Sequence, residues 1–315
     1  MSPYRPAWPD PPGRPRDPTE RLAWITRRLT PRDLWLCQLL DEHRVLTTVQ
    51  LADLAFPTLD TAEHRLLLLH RLEVLGRFRP RRDRGSAPYH WVLGPAGARV
   101  LAAHHGHDPS QVRYRRDDAL TIAHWRHLDH LVAVNGFFCA LARAARDRPD
   151  RALVAWWSER RCAARWGRLV RPDGYGRWRD GETEVDFFVE VDRATEPPRR
   201  LAAKLTGYRN LAVATKIATP VLFWFPTPKR EAAARAALAT ASATRPVPVA
   251  TASSPPGRAA DPAGPVWLAV GSAGPRQRLV LLASGAPAPP PASPEPEHGD
   301  GGDPPAPPAT WPARA

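Results

Sequence analysis

RPDGYGRWRDGETEVDFFVEVDRATEPPRRLAAKLTGY, residues 171–208, decides how this chain is read. Within it, Glu184 to Asp192 alternates. Val185, Phe187, Val189 and Val191 fall on one face of an extended segment, and Glu184, Asp186, Phe188, Glu190 and Asp192 on the other. The period predicts a strand, EVDFFVEVD, on which Glu190 and Asp192 point the same way about 7 Å apart. Asp173 lies on the preceding segment. If the two segments pair, Asp173 and Glu190 converge on a hard divalent cation. Mg²⁺ is usually held by one or two carboxylates, with water and substrate phosphate completing its shell. Such an ion activates water and neutralises charge in phosphoryl chemistry.

The following helix, PPRRLAAKLTGYRNLA, has an apolar stripe of Leu201, Leu205, Tyr208 and Leu211, and Lys204 sits within that stripe. An inward lysine wants a carboxylate partner or an anion. As a compact ammonium beside the acids it is placed to orient or deprotonate a water. The same spacing also fits an ordinary amphipathic strand with a solvated acidic face, and Lys204 in a structural ion pair.

Working outward, strands alternate with helices: ALVAWW, a polar segment, EVDFFVEVD, the lysine helix, PVLFWF, helix KREAAARAALAT, and VPVAT. That order predicts an α/β layer with a largely buried sheet. PVWLAV and RLVLLA are candidate edge strands, and residues 117–146 a long helix. GYGRWRDG matches no phosphate-binding glycine pattern and reads as a hairpin loop that could bring Arg177 and Arg179 near DNA. Trp156, Trp157 and Trp224 sit in apolar strands and read as core, whereas Trp166 and Trp178 lie in polar segments and are candidates for stacking on unpaired bases.

The N-terminal part has a different texture. PRDLWLCQLLDEHRVL puts Leu36, Leu39 and Leu40 on one helical face, with Pro31 at the first helical position. TTVQLADLAF reads as a second helix. LDTAEHRLLLLHRLEVLGRF reads as a third, with Asp60 and Glu63 spaced as a capping box and Gly76 as its stop. Arg77–Arg79 and Tyr89–Leu93 then flank an Arg-rich turn with Gly85 at its tip, followed by a helix at Pro95–His104. Three helices and a basic hairpin form a winged helix-turn-helix pattern. Its third helix offers His64, Arg65, His70 and Arg71 to a major groove, and its hairpin offers Arg77, Arg79, Arg81, Arg82 and Arg84 to phosphates. A winged helix that contacts protein, with the arginines solvated, is the competing reading.

Composition agrees in sign. The chain of 315 residues suggests about two domains, and a net charge of +13 points to a polyanionic partner. The inference is discounted because only Lys204, Lys216 and Lys229 among the 45 basic residues are lysine, the mark of a GC-rich coding bias. Cys37, Cys139 and Cys162 form no C-x-x-C pair and suit a reducing cytoplasm. The N-terminus has no apolar h-region, no run approaches the length a membrane span needs, and no membrane association is expected. Pro-rich residues 1–18 and 285–315 are expected to lie outside any core. Between them the sequence divides into 19–115 (winged helix), 116–150 (linking helix) and 151–284 (α/β domain). His124, His127 and His130 recur every third residue of the linking helix, a spacing that drifts around an α-helix and disfavours a zinc site.

The order PD, then E-x-D on an apolar strand, then a helical lysine, resembles the PD-(D/E)xK nuclease-like superfamily. WWSE (Trp156–Glu159), RPDG (Arg171–Gly174), FFVEVDRATE (Phe187–Glu196) and KLTGY (Lys204–Tyr208), behind a winged helix and the His127-to-Asn135 helix, resemble the replication-relaxation proteins of actinobacterial plasmids and integrating elements. The resemblance covers roughly residues 20–285, and FFVEVDRATE is its most specific piece. It implies an α+β chain: an N-terminal winged helix-turn-helix followed by a restriction-endonuclease-like α/β domain. It implies a DNA-binding accessory protein for plasmid or mobile-element replication, relaxation or mobilisation, acting on double-stranded DNA beside a relaxase or replication proteins, with a homodimer as a further expectation. Asp173 and Glu190 match the metal-binding acids, with Glu159 as an additional acid and Mg²⁺ as the ion. The lysine of (D/E)xK falls at Asp192, where the charge is reversed. Lys204 is then the candidate replacement, with Asp192 pairing with Arg193 or Lys204. The alternatives are an active Mg²⁺-dependent nickase or endonuclease using Asp173, Glu190, Lys204 and Asp192, and a winged-helix transcriptional regulator.

Overall fold

Proline sets where most of the helices begin. Pro18, Pro31, Pro95, Pro198 and Pro228 each occupy the first helical position, where a missing N–H costs nothing. The computed structural model describes residues 13–81, 85–114, 121–125, 127–242, 247–254 and 261–283. The chain divides into two compact units, Met1–Val132 and Ala133–Ala315. Arg82, Arg84 and most of both Pro-rich termini lie outside the described residues.

The first unit runs α1 (Pro18–Thr26), α2 (Pro31–His43), β1 (Leu46–Thr47), α3 (Thr48–Ala55), α4 (Leu59–Arg71), β2 (Leu75–Phe78), β3 (His90–Leu93) and α5 (Pro95–His104). Its strands form a sheet in the order β1-β3-β2, antiparallel throughout. Thr30 and Asp33 close a capping box on α2, and Thr47 and Gln50 close one on α3. Each such cap contributes about 1 kcal/mol. Leu36, Leu39 and Leu40 of α2, Leu51 of α3, and Leu66 and Leu69 of α4 form the core.

Two details of α4 differ from expectation. Its cap is Thr58, whose side chain accepts from the Thr61 amide, so Asp60 and Glu63 lie two residues too late for a box. The helix ends before Glu73, which takes φ 60°. Gly76 lies in β2, where an added Cβ would meet Val92 Cγ2 at 2.9 Å, so this glycine gives strand clearance rather than a helix stop.

In the second unit, α6 (Leu128–Ala145), which straddles the division, precedes β4 (Arg151–Ser158), α7 (Glu159–Trp166), β5 (Gly174–Asp180), β6 (Thr183–Val191), α8 (Pro198–Thr215), β7 (Val221–Phe225), α9 (Pro228–Ser242), β8 (Val249–Ser253) and β9 (Leu268–Ala269). The sheet order is β4-β5-β6-β7-β8-β9. β4, β5 and β6 form an antiparallel meander, β6, β7 and β8 are parallel, and β9 is antiparallel. The two parallel connections run through α8 and α9, which share one core with Phe188, Val221, Phe223 and Phe225. Two crossovers that step the same way along a sheet with the usual right-handed connection put their helices on one face. Phe137 and Phe138 of α6 pack among Trp156, Phe187, Trp224 and Trp267.

Five sequence expectations are corrected. GYGRWRDG is strand β5, not a loop. Gly176 is there because a Cβ would strike Phe187 and lie 2.9 Å from Phe138 Cε1. Trp178 is consequently fully buried on that strand and has no face for a base. The polar segment after β4 is helix α7, capped by Ser158, and it buries only Cys162. RLVLLA forms a 3₁₀ turn, Leu279–Ala283, instead of a strand, burying Leu279 and Val280. The long helix begins at Leu128, because Trp125 is extended after a separate 3₁₀ turn at Ile122–His124. His124 and His130 therefore belong to different elements. Among the described residues, α6 is the one helix long and apolar enough to cross a membrane, and half of it is buried in protein.

Candidate functional site

The β5–β6 pairing builds the site. Gly174 is opposite Val189, so one residue further along the register Asp173 is set opposite Glu190. Asp173 Oδ2 accepts the Val191 amide at 2.8 Å, which fixes the carboxylate at the strand end. Lys204 reaches down from α8 to donate a short hydrogen bond to Glu190 Oε2, and its Nζ lies 3.9 Å from Asp173 Oδ1. One turn on, Tyr208 donates its hydroxyl to Glu190 Oε1. Lys204 and Tyr208 are four apart and share a helix face, which is why both meet the same carboxylate.

Burial of Glu190, reinforced by the negative charge of Asp173, pushes its carboxyl up to about 7; Lys204 and the Tyr208 hydroxyl act in the opposite direction. Burial works against the Lys204 ammonium, but the charges of Glu190 and Asp173 outweigh it and hold the group above the usual lysine range. Tyr208 is raised well above its ordinary value, first by burial and then by Glu190. The cluster therefore keeps a charged lysine beside an acid that holds its proton more tightly than a free carboxyl does.

Asp192 is in a different contact. Arg230, near the start of α9, grips it with Nε–Oδ2 at 2.6 Å and Nη2–Oδ1 at 3.1 Å, and also donates to the Glu196 carbonyl. Its partner is thus neither Arg193 nor Lys204, because the C-terminal end of β6 abuts the first turn of α9. Glu159 is the first residue of α7 and is exposed. Among the described residues no group of three His, Cys, Asp or Glu side chains is gathered to hold a metal ion, so Glu159 stands apart from the acid pair. Arg177 is paired with Asp186 at 2.6 and 3.1 Å, and Arg179 lies 3.7 Å from Glu184. Trp166 stacks on Trp157, ring centroids 5.3 Å apart.

In the first unit the expected DNA-facing residues divide. Arg65 is turned to buried Asp33 of α2, with Nε–Oδ1 at 3.0 Å, and donates to the Arg28 carbonyl at 3.1 Å. It ties α4 to α2. His64 is exposed, its Nδ1 2.9 Å from the Asp60 carbonyl oxygen, and Arg71 is exposed in the last turn. His70 is half-buried, its Nδ1 3.0 Å from the Leu75 carbonyl oxygen. Arg77 of β2 and Arg79, just past its end, both lie over the Tyr89 ring, at 4.2 and 3.9 Å from its centroid, and Arg79 donates to Ser86 Oγ at 3.1 Å. Arg81 is exposed beside them.

Sequence reasoning missed Tyr208 and Arg230 as partners of the acids, and Tyr89 as the platform of the hairpin. Tyr208 was recognisable from its four-residue spacing from Lys204. Arg230 was not, because nothing local marks a contact 38 residues away.

Fold and site together define a two-unit α+β chain with a buried carboxylate pair bridged by a helical lysine. A family model, replication-relaxation, matches residues 37–226, more than half of the chain, and the chain belongs to that family. No curated protein and no solved structure matches it.

Proposed function

We propose that this chain is a DNA-binding accessory protein of plasmid or mobile-element replication, relaxation or mobilisation, with a winged helix in its first unit and a restriction-endonuclease-like domain of the PD-(D/E)xK kind in its second. The observation that carries the DNA reading is the pair Arg77 and Arg79 on the Tyr89 ring, beside exposed Arg81. Guanidinium groups already held on an aromatic face lose less freedom when they take phosphate oxygens in bidentate pairs. Such contacts position a protein on duplex DNA without reading its sequence.

The order helix, strand, helix, helix, strand, strand, with β1 seated against β3, supports the winged-helix reading. The meander β4-β5-β6, then α8 and parallel β7, with acids where β5 and β6 meet, supports the nuclease-like reading. In this reading residues 19–115 form the winged helix, 116–150 join it to the domain of 151–284, and the partners are duplex DNA, a relaxase or replication proteins in the cytoplasm, and a second copy of the chain. Family membership supports the biological setting.

The acid pair suits Mg²⁺ poorly. Both Glu190 oxygens already accept hydrogen bonds, from Lys204 and Tyr208, and Mg²⁺ demands oxygen ligands in near-octahedral geometry together with its own waters. The proposed function needs no metal. A second reading, metal-dependent nicking with Asp173 and Glu190 as ligands and Lys204 beside the water, is favoured by the register that sets those acids opposite one another.

A supercoiled plasmid incubated with Mg²⁺ or Mn²⁺ separates the two. The accessory-protein reading expects intact plasmid at every metal concentration and a gel shift that weakens with salt. Metal-dependent nicking, lost in both Asp173→Ala and Glu190→Ala, would replace it with the nickase.

A further inference from the structure

We propose that Lys204 is the resident cation of the Asp173–Glu190 pair: it holds the position a divalent ion would need, and removing its ammonium opens a divalent-cation site on the two carboxylates. The inference concerns the second unit alone and stands or falls independently of DNA contact by the hairpin.

The geometry is that of a cation already seated. Glu190 Oε2 accepts from Lys204 Nζ, Glu190 Oε1 from Tyr208, and Asp173 Oδ2 from the Val191 amide, while Asp173 Oδ1 lies 3.9 Å from the same ammonium. Two buried carboxylates this close repel each other, and a positive charge beside both relieves that repulsion. Lys204 supplies it. It is also the outermost member: its side chain is 36 % exposed, against 10 % for Asp173 and 2 % for Glu190. A hydrated ion approaching from solvent therefore meets an ammonium before it meets an acid.

The sequence makes this choice visible. In a chain where only three of 45 basic residues are lysine, a compact ammonium stands here. A planar guanidinium with five fixed donors fits a point between two carboxylates less well than a small charge does. The neighbouring acid, Asp192, has its own cation in Arg230 and is not available to add a third ligand.

The scarcity of lysine also makes the test direct. In the full-length wild-type chain, the Nζ signal of Lys204 is one of three lysine signals and is assigned with Lys216→Arg and Lys229→Arg. The proposal expects this signal to stay in place as millimolar Mg²⁺ is added. A Mg²⁺-dependent shift that disappears in Glu190→Gln would overturn it, because metal and lysine would then share the site. In parallel, Lys204→Met, or Lys204→Gln if the Met variant does not fold, is expected to gain a rise of several degrees in Tm with millimolar Mn²⁺. That rise should be absent from wild type and from the same variant carrying Glu190→Gln. A folded Lys204 variant with no Mn²⁺ response would show that the acids are not a latent metal site.

Discussion

Arg230 holds Asp192 through two parallel hydrogen bonds, 2.6 and 3.1 Å, at the C-terminal end of β6. This is where the (D/E)xK pattern would place its lysine. The acid there serves to dock α9 onto the strand. Asp192→Ala takes the carboxylate from Arg230 and leaves its guanidinium on the Glu196 carbonyl, and is expected to lower stability by about 3 kcal/mol, measured by urea unfolding. Asp192→Lys, which restores the motif on paper, sets two cations against each other and should destabilise at least as much.

The pH dependence of stability should carry the signature of Glu190. Its carboxyl is raised from an ordinary 4.5 to about 7, so between these values the folded state binds more protons than the unfolded state. Stability from this group is full below 4.5 and is lost as pH rises through about 7. Lys204, held above its ordinary value, adds stability that persists below that value and is lost only at higher, strongly alkaline pH. Thermal unfolding from pH 4 to pH 8 should show Glu190→Gln gaining on wild type across the window and running level with it in slope above.

Much of this was legible in the sequence, and the gaps have physical causes. Pro31 marked a helix start because local backbone chemistry fixes it. The alternation of β6 and the stripe of α8 fixed which face carries Glu190 and Lys204. β5 was misread because glycine there answers to the rings of Phe138 and Phe187, a tertiary demand that looks like turn chemistry in a local window. α7 was missed because a helix that buries only Cys162 leaves no apolar stripe. Arg65 was read as facing DNA because its partner, Asp33, lies 32 residues earlier.

That tight glycine gives its own prediction. Gly176→Ala forces a Cβ against Phe187 and Phe138 in the centre of the sheet. Overpacking of this kind costs about 1–3 kcal/mol, and the expected readout is a lower denaturation midpoint with an unchanged slope.

Arg65 and the hairpin arginines should separate stability from binding. Arg65→Ala abandons a buried Asp33 carboxylate and is expected to cost about 3 kcal/mol in stability. Tyr89→Leu removes the ring under Arg77 and Arg79 and should weaken DNA binding by about fivefold to thirtyfold at most, since each of the two cation–π contacts is worth about 0.5–1 kcal/mol. Its effect on unfolding should be the smaller of the two.

The most direct measurement is the salt dependence of duplex binding by the full chain, followed by fluorescence anisotropy, for wild type and for the triple variant Arg77→Ala, Arg79→Ala, Arg81→Ala. If the hairpin grips phosphates, the slope of log affinity against log salt falls by about three in the variant, one for each lost contact. An unchanged slope, with binding intact, would contradict the account by placing the DNA surface elsewhere on the chain.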